Sequence, residues 1–150
     1  MQVSIDTSLL IAIERGDRQA IAAFKSWHAK GWTGFVCSVA LAEWLQGAHA
    51  VKDPVKKARA DRFYDQHLST LPVRSLSEQD AVVFGKTVGA LRAHGKAVGF
   101  ADGLIGCQAL QYGVPVATYN VADFSVIPGL EIIDPNEKAP DVEDAKGQEG

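Results

Sequence analysis

Apolar positions along the chain fall into short continuous runs separated by stripes of helical period. Val3 to Ile5 is a β-branched run that ends at Asp6, after which Leu9, Leu10, Ile11 and Ile13 begin a helical segment. Gly16-Asp17 stops and restarts the chain, with Asp17 as the expected N-cap of a helix carrying Ile21, Phe24 and His28. Gly31 and Gly34 bracket a turn into Phe35-Val36-Cys37, a second buried strand. Ser38 is expected to cap the next helix, in which Leu41, Trp44, Leu45 and Ala48 share one face. A polar helix follows from Pro54 to about Leu68, then a short extended Leu71-Pro72-Val73, expected as the third strand. Ser77 caps a helix in which Ala81, Phe84, Gly85, Val88 and Leu91 recur at helical spacing. Gly95 and Gly99 punctuate the link to a helix that starts near Ala101 and stops at Gly113. Val114 to Thr118 and Leu130 to Ile133 read as the fourth and fifth strands. Short apolar strands alternating with longer helices predict an α/β fold with a parallel sheet.

Composition fits that fold. The chain has 150 residues, 47% of them hydrophobic, enough for one domain with its own core, taken as residues 1–135. Residues 136–150, rich in acids, Gly and Lys, read as a disordered tail. This tail holds the whole net charge of −3 and leaves the body formally neutral. The acidic balance is therefore no argument against a polyanionic substrate. Cys37 and Cys107 lie in apolar runs without a second Cys or His at ligand spacing, so both are expected to be buried free thiols. The start has no basic segment leading into a cleavage-like site, and no apolar stretch approaches the ~20 residues of a membrane helix. The expected location is cytoplasmic.

In open parallel sheets, functional groups gather at the carboxyl ends of strands. Asp6 ends the first strand, Glu43 lies in the helix after the second, Asp102 opens the helix before the fourth, and Asn120 and Asp123 follow the fourth. Several carboxylates at one edge repel one another unless a cation neutralises them, and hard oxygen ligands suit magnesium or manganese. Each residue also has a plain structural alternative. Asp6 and Asp102 can cap helices, Glu43 can be a solvated glutamate opposite its helix's apolar face, and Asp123 can be a turn residue.

The order of these segments carries more information than any one of them. Ile5-Asp6-Thr7-Ser8-Leu9-Leu10-Ile11, the Ser38–Gly47 segment with Glu43, the Ala101–Leu110 segment with Asp102, Val116–Phe124 and Ile127–Ile132 together resemble the PIN-domain family. The likeness is to its VapC-type toxins of bacterial toxin–antitoxin pairs in particular. It implies a three-layer α/β/α domain around a mostly parallel sheet of four to five strands. It also implies a Mg2+- or Mn2+-dependent ribonuclease that cleaves single-stranded or structured RNA, forms a homodimer and is inhibited by a cognate antitoxin. By the same resemblance Asp6, Glu43 and Asp102 match the metal-binding catalytic acids, Asp123 is a candidate fourth, and Thr7 and Thr118 match supporting hydroxyls. Many relatives carry an acid where this chain has Asn120, so the fourth position rests on Asn120, Asp123 or neither. The alternatives are an inert PIN-like module that binds RNA or protein and a PIN nuclease of RNA processing. A phosphatase is disfavoured, because no Asp follows Asp6 at the second position and no phosphate-binding glycine loop occurs.

Lys52, Lys56 and Arg59 are expected on one helical face, either as a surface for RNA phosphates or an acidic antitoxin segment, or as a solvated face. Trp27, Trp32 and Trp44 read as core or dimer anchors, and the four histidines show no ligand spacing.

Overall fold

A computed structural model describes residues 1–137, so all but the first two residues of the acidic segment 136–150 lie outside the described residues. Five strands form, β1 (Gln2–Ile5), β2 (Thr33–Cys37), β3 (Val73–Arg74), β4 (Val116–Ala117) and β5 (Ile132–Ile133). They pair in parallel in the order β3-β2-β1-β4-β5. The helices are α1 (Thr7–Glu14), α2 (Arg18–Ala29), α3 (Ser38–Ala50), α4 (Pro54–Gln66), α5 (Glu78–Ala93), α6 (Phe100–Tyr112) and α7 (Val121–Phe124). Right-handed crossovers assign α1 to α4 to one face of the sheet and α5 to α7 to the other, because the chain reverses its direction across the sheet after β3.

The apolar runs form strands because parallel strands covered on both faces need continuous hydrophobicity. Val3, Ile5, Val36, Val116 and Ala117 are all buried, as are Leu9 and Leu10 of α1 and Ile105 and Ala109 of α6. Each large aliphatic among them contributes about 2 kcal/mol by leaving water. Cys37 and Cys107 are buried and free, and Trp27 and Trp44 are core residues. Helix α6 is buried from Gly103 to Ala109, and two glycines let it sit there. A β-carbon at Gly103 would lie 2.7 Å from the Phe84 ring, and one at Gly106 would collide with Ile127.

Three local expectations need correction. Ser38 is the first residue of α3 rather than its cap, which is Cys37, and its hydroxyl instead accepts from the Leu76 amide at 3.3 Å. Helix α5 is turned so that Asp80, Phe84, Val88 and Leu91 face inward, leaving Ala81 and Gly85 exposed. The cause is polar. Asp80 closes a capping box with Ser77 and accepts from Gln108 Nε2 at 3.2 Å, so a buried carboxylate takes the place that an apolar residue was expected to fill. Finally, Lys52 precedes the Asp53 cap of α4 and does not share that helix with Lys56 and Arg59.

Candidate active site

With β1 in the centre, the chain leaves it for β2 and β3 on one side and returns to β4 and β5 on the other. The crevice at the carboxyl ends beside such a strand is where α/β sheets bind ligands. Register decides what stands there. Ile5 pairs with Ala117, so the next residues, Asp6 and Thr118, emerge side by side, with the Asp6 amide donating to the Ala117 carbonyl at 3.0 Å.

Asp6 is buried, only 1% exposed, and its carboxylate is held through one oxygen. Oδ2 accepts from Ser8 Oγ and from Thr118 Oγ1, both at 2.8 Å, and from the Ser8 amide at 3.4 Å. The last contact makes Asp6 the N-cap of α1, so the capping alternative holds for Oδ2. Glu43 lies on the exposed side of α3, and its Oε1 accepts from Thr7 Oγ1 at 2.8 Å. Here too one carboxylate oxygen is anchored by a hydroxyl.

Asp102 is the third residue of α6, whose N-cap is Gly99, so the capping alternative does not apply to it. Its carboxyl is half-buried, and its pKa is pushed up to about 6 by burial first, then by the charges of Asp6, Glu43 and Asp123. The four acids singled out in the sequence therefore share one electrostatic neighbourhood. Asn120 occupies the N-cap position of α7 without a side-chain hydrogen bond, while its amide donates to Thr118 Oγ1 at 2.9 Å. Asp123 stands exposed in the first turn of α7.

Among the described residues no group of three or more acids, histidines or cysteines forms a ready cage for a metal ion. The set is a splayed one. That arrangement suits a hard cation, which keeps several waters and takes only one or two carboxylates together with substrate phosphates. The repulsion felt at Asp102, with one free oxygen each on Asp6 and Glu43, is the chemistry that such a cation relieves.

The model of the PIN-domain family matches residues 3–130, most of the chain. The chain belongs to the PIN-domain family. Among curated proteins, it is 30% identical over 133 residues to a protein named Ribonuclease VapC from Rickettsia bellii, spanning 89% of this chain and 96% of that one. Among solved structures it resembles VapBC2 from Rickettsia felis, crystallised with a DNA fragment from their promoter, with a TM-score of 0.78 and 25% identity over 89% of this chain and 98% of that one. VapBC-5 from Mycobacterium tuberculosis, described as a member of the VapBC family of toxin–antitoxin systems, shares the fold with a TM-score of 0.68, 20% identity and coverage of 89% and 96%.

In this PIN domain a cleft of about 500 Å³ lies between α1, α3 and α4, and of the four acids Glu43 lines it. Trp44, Gly47, Lys56 and Arg59 are also among the residues that line it. Arg59 Nε is held by Glu14 at 3.2 Å. Lys52 is not among the lining residues.

Two features escaped the reading from sequence. Ser8 binds Asp6, and its signal was present as a serine two residues after an Asp that caps a helix, the spacing of a local side-chain turn. The pair Asp80 and Gln108 is fully buried and pins the segment before α5, with Gln108 Nε2 also donating to the Ser75 carbonyl at 3.2 Å. Nothing local in the sequence distinguishes Gln108 from a surface glutamine.

Proposed function

We propose that this PIN domain is a metal-dependent endoribonuclease that cleaves single-stranded or structured RNA, and that it is the toxin of a toxin–antitoxin pair restrained by its cognate antitoxin. The observation that carries the reading is the shared electrostatic neighbourhood of Asp6, Glu43, Asp102 and Asp123 at the carboxyl edge of the sheet. The name of the Rickettsia bellii relative supports the activity, and the VapBC structures support the pairing with an antitoxin.

Asp6, Glu43 and Asp102 would hold Mg2+ or Mn2+, with Asp123 as the fourth acid. When bound, such an ion lowers the pKa of a coordinated water and neutralises charge on the scissile phosphate. The protein's own part is positional. Ser8 and Thr118 fix Asp6, Thr7 fixes Glu43, and the amide of Asn120 fixes the loop that leads to Asp123. Lys56 and Arg59, which line the same cleft as Glu43, offer positive charge to RNA phosphates or to an acidic antitoxin segment. A homodimer is part of the same reading, checked by light scattering. Among the described residues no helix is long and apolar enough to cross a membrane, in keeping with a cytoplasmic toxin.

The test is cleavage of labelled RNA with added Mg2+ or Mn2+. Wild type is expected to cut only with metal, and Asp6→Ala is expected to fold and not to cut. Undiminished cleavage by a folded Asp6→Ala, Asp102→Ala double variant would overturn the mechanism.

A further inference from the structure

We propose that Ser8 is a positioning residue that commits one oxygen of Asp6 to the protein and leaves the other for the metal, an inference that rests on the nuclease reading above. Ser8 Oγ and Thr118 Oγ1 lie 3.2 Å apart, and each is 2.8 Å from Asp6 Oδ2. Each hydroxyl has one proton to donate. Ser8 Oγ already accepts from the Tyr119 amide at 3.1 Å, and Thr118 Oγ1 accepts from the Asn120 amide at 2.9 Å. An ionised carboxylate oxygen can only accept, so each 2.8 Å contact to Oδ2 takes the single proton of its hydroxyl, and none is left for a hydrogen bond between Ser8 and Thr118.

Two consequences follow for Asp6. Its Oδ2 is taken up by two hydroxyl donors, so Oδ1 is the oxygen presented to a cation. The oxygen of Ser8 that orients Asp6 also receives the Tyr119 amide, which ties the loop leading to Asp123 to the position of Asp6. Helix capping alone would need only the Ser8 amide, and that is the longest of the contacts, at 3.4 Å. The hydroxyl is the part of Ser8 that the site uses.

The experiment is calorimetric titration of Mn2+ into wild type, Ser8→Ala, Ser8→Cys and Ser8→Thr, with thermal melts of each in chelator. Partners that orient a metal ligand are worth about 10–100-fold in metal affinity. Ser8→Ala and Ser8→Cys, which remove the hydroxyl or replace it with a weak donor, are expected to lose affinity on that scale. Ser8→Thr, which keeps the hydroxyl, is expected to stay close to wild type. If Ser8→Ala does not fold, the contrast between the Cys and Thr variants decides. Unchanged Mn2+ affinity in Ser8→Ala or Ser8→Cys, whatever the change in melting temperature, would reduce Ser8 to a structural cap and overturn the proposal. Equal losses in the Cys and Thr variants would overturn it as well. Wild type that binds no Mn2+ would instead remove the nuclease reading, and the role of Ser8 with it.

Discussion

Replacing Asp102 by Asn should make the metal-free protein more stable at neutral pH while abolishing its activity. In the folded chain the Asp102 carboxyl titrates at about 6, against 3.8 when free of its surroundings, because burial and the charges of Asp6, Glu43 and Asp123 penalise its ionised form. Below pH 3.8 both states carry the proton and there is no penalty. Between about pH 4 and 6 the unfolded chain ionises first, so it is favoured, and the folded state loses stability that stays lost at higher pH. The gap from 3.8 to about 6 corresponds to about 3 kcal/mol as a ceiling. Asp102 is only half-buried, and screening by solvent brings this to about 1–2 kcal/mol. Asp102→Asn removes the ionisation and keeps the shape. In urea titrations with chelator, the variant should therefore gain on wild type by about 1–2 kcal/mol at pH 7 and by nothing near pH 3.5. Thermal melts at neutral pH should rise by about 2–6 °C. Saturating Mn2+ should reverse the ranking, since the ion stabilises only the protein that binds it. The reasoning fails if the two proteins show the same dependence on pH, or if wild type gains stability relative to the variant as pH rises from 4 to 6 without metal.

Two further outcomes test other links. Gly103→Ala puts a β-carbon 2.7 Å from the Phe84 ring and 3.2 Å from Val88, and it should destabilise the fold by about 1–3 kcal/mol in urea. An unchanged midpoint would mean that α5 and α6 are not held at this distance. Lys56→Glu should weaken binding of RNA, or of the antitoxin, at low salt, with the effect shrinking as salt rises. Unchanged affinity for both would leave Lys56 as solvated surface.

The strands were legible because a sheet covered on both faces demands apolar runs, and Phe35 to Cys37 and Val114 to Ala117 provide them, while in β1 the buried Ser4 stands between Val3 and Ile5. The facing of α5 was not legible. Periodicity scored Ala81 and Gly85 as inward residues, and only the partner in three dimensions, Gln108 from α6, explains why Asp80 goes inside instead. Spacing alone puts Lys52 on the face of Lys56 and Arg59, but Asp53-Pro54 already marks the cap and first residue of α4 and leaves Lys52 outside the helix.

The acids themselves were visible as an ordered set at strand ends, but their order says nothing of their mutual distance. That distance comes from two long-range facts. One is the register that pairs Ile5 with Ala117 and so sets Asp6 beside Thr118. The other is the close seating of α6, which Gly103 and Gly106 permit against Phe84 and Ile127 and which fixes where Asp102 enters the crevice. The hydroxyls then choose which carboxylate oxygens face inward to the protein. Thr7 engages one oxygen of Glu43, and Ser8 with Thr118 one oxygen of Asp6. A sequence displays the residues for such a site readily. The choice of oxygen depends on pairings between residues as far apart as Asp6 and Thr118, and those become available only once β1 and β4 are side by side.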